Sequence, residues 1–127
     1  MTEPTPDTQP TDDNTPMLTP LPGMEIVYLC LLLKGPAWTA DETPEVQQLQ
    51  QAHLANIRRL VALGKKVVVG PILDGGDLRG VSAFRVGSAA EARELMATDP
   101  AVQAGRFTIE IHPWMVAIGA LPGFSPQ

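Results

Sequence analysis

The sequence contains one cysteine, Cys30, in 127 residues, so an intramolecular disulfide is excluded. Cys30 lies in an apolar run, where a thiol reads as a small buried hydrophobe. No neighbour in sequence would lower its pKa and make it a nucleophile. Histidines are almost as scarce: His53 and His112, far apart, with no CxxC or HExxH spacing. No metal is therefore expected. No Gly-rich phosphate loop is present, and no cofactor is expected. No apolar run approaches the roughly 20 residues of a membrane span, so no membrane partner is expected. Bases number 9 against 14 acids, and none occurs in the first 23 residues, where Glu3, Asp7, Asp12 and Asp13 all fall. The remaining 104 residues are then close to neutral, with 10 acids and 9 bases. Such a domain lacks the electrostatic footprint of a nucleic-acid binder. Its densest basic cluster, Arg58, Arg59, Lys65 and Lys66, reads as a solvated helix end that complements the helix dipole.

What is present is a chain with 44% hydrophobic residues and mean hydropathy +0.04, long enough for one domain with one core. Residues 1–23 are rich in Pro, Thr and acid, and read as a disordered leader that cannot offset its ordering entropy. The leader has no basic n-region and no apolar h-region, so it does not read as a secretory signal. Cytoplasmic residence is the expectation; the alternative is an exported protein whose signal has been removed. A folded domain over 24–120 follows, then a surface tail over 121–127.

"MEIVYLCLLLKG" (24–35) is a strand with two apolar faces, Ile26, Tyr28, Cys30 and Leu32 on one and Val27, Leu29, Leu31 and Leu33 on the other. Thr43, Pro44 and Glu45 open a helix as N-cap, first helical residue and first-turn acid, and Gly64 closes it after Leu63. Residues 65–73 form a second strand, "DGGD" (74–77) a turn, and 79–86 a third strand antiparallel to the second. The turn lacks the other ligands of a calcium loop. Ser88 and Glu91 fit a capping box for a second helix, "EARELMATD", which Pro100 stops. Residues 106–118 are a fourth strand with Phe107, Ile109 and Ile111 on one face and Thr108, Glu110 and His112 on the other.

The order βαββαβ specifies an α+β, ferredoxin-like fold, an antiparallel four-stranded sheet with two helices on one face. The other sheet face would be bare in a monomer. The doubly apolar first strand argues that a second copy covers it, in a two-fold homodimer with sheets face to face.

One helix position is unusual. Val46, Leu49, Ile57 and Leu60 form an apolar stripe, and His53 sits in its middle, a turn from Leu49 and from Ile57. Four further stretches follow it in fixed order, "LGKKVVVGP" (63–71), "DLRG" (77–80), "DPAVQAGRF" (99–107) and "HPW" (112–114), and a fifth, "LLLKGPAWT", precedes the helix. Together they resemble the YCII-related family over about residues 24–120. The resemblance implies a dimeric ferredoxin-like α/β barrel, related in architecture to muconolactone-isomerase-type proteins. It also implies an active-site His–Asp pair, falling on His53 and Asp99, and one branch of the family is similar to dehydrochlorinases of chlorinated hydroxyhydroquinones. His112, before the final Pro-Trp, is an addition to the family pattern.

Each candidate has a plainer reading. His53 could be a core histidine with both ring nitrogens satisfied. With an aspartate on one nitrogen it becomes a proton carrier, the reading the resemblance favours. Asp99 followed by Pro100 also fits the N-cap of a short helix over "DPAVQAG", and the two roles are compatible. Gly70 and Pro71 shape a strand end that would line a pocket mouth. Arg79 could hold an anionic substrate or be a hairpin surface charge. Glu110 and His112 read as a solvent edge or a polar dimer contact before a second acid–base pair. Trp38 and Trp114 could wall a pocket for a ring-shaped ligand, or be buried in core or interface.

The expectation is a small-molecule lyase or isomerase. His53 and Asp99 are catalytic, and Trp38, Gly70, Pro71, Arg79, His112 and Trp114 are candidate substrate contacts, in a cleft between sheet and first helix or near the dimer seam. The rival is a non-catalytic ligand-binding or structural dimer in which His53 is a sealed polar anchor. A third reading gives the acidic leader a protein partner.

Overall fold

The computed structural model describes residues 18–123. Its elements are β1 (Met24–Lys34), α1 (Pro44–Ala62), β2 (Lys66–Pro71), β3 (Leu78–Phe84), α2 (Ala89–Met96), α3 (Pro100–Gln103) and β4 (Phe107–Ala117). The four strands form one antiparallel sheet in the order β2-β3-β1-β4, the ferredoxin-like arrangement expected. Most of the leader, residues 1–17, and the end of the tail, 124–127, lie outside the described residues. Among the described residues, no helix is long and apolar enough to cross a membrane.

The α1 ends follow their local chemistry. Thr43 Oγ1 accepts from the Val46 amide at 3.2 Å, and Pro44 occupies a position whose N–H would be orphaned anyway. At the other end Gly64 takes φ +77°, which lets the Lys65 amide reach Leu60 O at 3.2 Å and the Gly64 amide reach Val61 O at 2.9 Å. That pair of bonds is the Schellman closure. At α2, Ser88 Oγ caps the Glu91 amide at 3.0 Å, while Glu91 reaches back to the Gly87 amide at 3.1 Å.

The second helix is shorter than the sequence suggests. It ends at Met96, with Ala97 as its cap, and does not run through Asp99. The cause is local: a residue before proline is driven out of the α region, and Asp99 is extended at φ −73°, ψ 122°. Pro100 then opens the short α3.

The main core lies between the sheet and the helices. Cys30, Leu32, Phe84 and Ile111 from the strands meet Leu60, Ala92 and Met96 from α1 and α2. The outer sheet face carries a small second cluster, Val27, Ala83 and Val116, against which Leu121 packs. The segment after β4 is thus held at its start. Arg85 also fastens it, donating from Nη1 to Pro122 O at 2.8 Å while two other nitrogens pair with the buried Glu25 at 2.9 Å each. That pairing raises the Arg85 pKa further. The rest of the outer face, including half-buried Leu29, Leu31 and Val81 and exposed Trp114, carries no covering element among the described residues.

Candidate active site

His53 is the buried centre of the α1 stripe, 8% exposed. Its Nδ1 lies 2.5 Å from Asp99 Oδ2. The other carboxylate oxygen, Oδ1, accepts from the Ala101 amide at 2.8 Å. Asp99 therefore caps α3 and binds the histidine at once. The cap fixes one oxygen, which aims the other. An ionised Asp99 can only accept, so Nδ1 carries a proton, and in the neutral ring Nε2 is left with a lone pair. Among the described residues no group hydrogen-bonds Nε2. Phe107 lies against the ring, centroids 5.4 Å apart.

Sequence reasoning missed the group that aligns these two elements. Asn56 lies one turn after His53 and is buried. Its Oδ1 accepts from Arg59 Nη2 at 2.9 Å, and the same Nη2 donates to Thr98 Oγ1 at 2.9 Å. Thr98 precedes Asp99, so this bridge ties α1 to the turn that delivers the carboxylate. Asparagine on a helix reads as a surface residue, so composition gives no warning of it.

His53 lines a pocket of about 430 Å³ between the sheet, α1 and the loop after β1. Leu32, Ile57 and Phe107 form apolar walls. Of the expected contacts, Trp38, Gly70, Pro71 and Arg79 all line it. His112 and Trp114 do not; register places them on β4 opposite Leu29 and Val27, on the outer sheet face. There His112 sits 3.4 Å from Glu110, both about half exposed. Trp38 is brought in by a close backbone approach. The Gly35 amide donates to Arg106 O and the Ala37 amide to Gly105 O, each at 2.8 Å. A Cβ on Gly35 would lie 2.2 Å from Gly105 O, so only glycine fits.

Three pocket residues carry no sequence signal. Lys66 is only 4% exposed and lines the pocket, which corrects its reading as part of a solvated helix end. The cause is register: Lys66 pairs with the inward-facing Phe84, and a bulge before Val68 shifts the strand's phase. Burial lowers the Lys66 pKa, opposed by the charge of nearby Asp99. Arg106 is also buried; its Nη1 donates to Thr39 O at 3.0 Å, and its Nε finds no partner among the described residues. Ser82 adds a buried hydroxyl. Cys30 lies beneath, fully buried, its thiol pushed up by burial from 9.0 to about 12, which suits packing and not nucleophilic attack.

The chain matches the profile of the YCII-related domain over residues 26–115. No curated protein sequence matches it. Among solved structures it is similar to 5-chloro-2-hydroxyhydroquinone dehydrochlorinase from Burkholderia phenoliruptrix AC1100, in complex with 2,5-dihydroxybenzoquinone. The identity is 26% and the TM-score 0.52, over 69% of this chain and 92% of that one.

Proposed function

The chain belongs to the YCII-related domain family, and from that premise we propose that it is a small-molecule enzyme of the lyase or isomerase type, dehydrochlorinase-like, in which His53 moves a proton. The observation that carries this reading is the asymmetry of His53: Nδ1 held by a buried carboxylate, Nε2 without a partner among the described residues, in a residue that lines a pocket. A sealed structural histidine would have both nitrogens occupied. Nε2 takes a proton from a carbon or oxygen acid of the substrate, and Asp99 stabilises the imidazolium that results. In a lyase step the substrate's electron pair forms a double bond as chloride departs with the C–Cl pair. In an isomerase step His53 returns the same proton to another carbon.

The similarity to a dehydrochlorinase chooses the first substrates to try. Chlorinated hydroxyhydroquinones are incubated with the protein and chloride release is followed. Turnover is expected to fall by about 10²–10⁴-fold in His53→Gln, the range for a lost general acid–base. Turnover that survives His53→Gln contradicts the reading. Binding of 2,5-dihydroxybenzoquinone with no turnover of any substrate supports a ligand-binding module instead.

We further propose that the outer sheet face is the seam of a two-fold homodimer, supported by Leu29, Leu31, Val81 and Trp114 lying there without cover from the other described residues. Cytoplasmic residence belongs to the same proposal, and cell fractionation separates it from export.

A further inference from the structure

The His53 pocket is lined by three cationic side chains, Lys66, Arg79 and Arg106, and by no Asp or Glu among the described residues. Lys66 is the most informative. It is almost wholly buried, yet among the described residues no hydrogen bond or ion pair holds its ammonium, whose Nζ lies 5.1 Å from the centre of the Phe84 ring. Asp99 is close enough to act on it electrostatically but makes no ion pair with it; its two oxygens face His53 and the Ala101 amide. Two cations outside the pocket have carboxylate partners, Arg85 with Glu25 and Lys65 with Glu91. A buried ammonium without one is costly, and structures retain such groups where a ligand provides the missing charge. Among the described residues Arg79 hydrogen-bonds only to Gly76 O, at 3.2 Å, and Arg106 keeps a buried Nε unpaired. Both guanidinium groups lie by the Trp38 ring, at 5.4 and 5.7 Å.

We propose that this pocket selects a small organic oxyanion, a carboxylate or phenolate on a planar apolar body, with Lys66 as its buried charge partner and Arg79 and Arg106 flanking it. This deepens the enzyme reading and rests on the pocket being the substrate site of His53. The same three cations would stabilise negative charge that builds on the substrate as His53 removes a proton, since fixed charges in a water-poor site need no reorganisation. The walls favour a flat ring, with Trp38 and Phe107 as its aromatic surfaces.

The test is calorimetric titration of the full chain with matched probes: benzoate against benzamide, and ionised 4-nitrophenol against nitrobenzene. The anion of each pair is expected to bind at least tenfold tighter, and the pair with the larger ratio identifies carboxylate or phenolate. Lys66→Met is expected to erase that ratio while raising the melting temperature, because it removes an unpaired buried charge. Arg79→Met, at the half-buried rim, should reduce the ratio by a smaller factor and serves if Lys66→Met fails to fold. Equal binding of anion and neutral probe, no binding of either pair, or a ratio unchanged in both variants overturns the inference. His53→Gln separates the two readings. A charge preference that persists where no turnover is found leaves this inference standing and the catalytic one fallen; His53-dependent turnover without charge preference does the reverse.

Discussion

Asp99 has two duties, and substitutions can divide them. Asn keeps an oxygen for the Ala101 amide but presents an N–H, in place of an acceptor, towards His53 Nδ1. Asp99→Asn is therefore expected to keep near wild-type stability while turnover drops by about 10²-fold or more. Asp99→Ala loses the cap as well and should cost about 1 kcal/mol on top. Chemical denaturation beside the activity assay separates the two, and equal stability losses in both variants would refute the double role. Cys30 makes a simpler prediction. Its thiol ionises near 9.0 in the unfolded chain but only near 12 in the fold, so the unfolded chain alone loses a proton between those values. Its stabilising effect is complete below pH 9.0 and is lost as pH rises towards 12. Cys30→Ala should flatten that decline in a pH series of melts, and thiol reagents should label the wild type only on unfolding.

At the scale of elements, most of the fold was legible. Caps at Thr43 and Ser88, glycine at Gly64 and the alternation of β4 each name their element by local chemistry. The end of α2 is not legible, because Pro100 looks the same as a helix stop or as a helix start. The site was half legible. His53 stood out as a polar residue on an apolar stripe, and the resemblance pointed to Asp99. Lys66 did not, because "KKVVVG" puts a lysine on each face and a bulge sets its phase. Asn56, Arg59 and Thr98 meet only through tertiary packing. Gly35 shows how elements place a side chain. Gly35→Ala would force the loop carrying Trp38 off the α3–β4 turn. It should cost about 2 kcal/mol or more, as a strained backbone contact does, and weaken ligand binding. A variant that melts and binds as the wild type would show that the close approach does not matter.

For the whole molecule, the outer sheet face divides in two. At one end the chain covers itself with Leu121 and the Arg85 tether. The remainder, around Leu31, is the surface proposed for the second copy. Sedimentation equilibrium of the wild type should give a dimer, and Leu31→Asp, a charge on that seam, should give a monomer. A monomeric wild type contradicts the seam. His112 and Trp114 belong to this surface, so their substitution should move the association constant more than ligand binding at the His53 pocket.

The central claim is that His53 works as a proton carrier with Asp99 behind it, and its protonation pattern tests this most directly. A long-range proton–nitrogen correlation spectrum at neutral pH reads both ring nitrogens of His53. The prediction is a protonated Nδ1 and a bare Nε2, with Nε2 shifting when 2,5-dihydroxybenzoquinone is added and the tautomer preference lost in Asp99→Asn. A protonated Nε2 with a bare Nδ1, or an Nε2 signal indifferent to bound ligand, would contradict it and leave His53 as a structural residue.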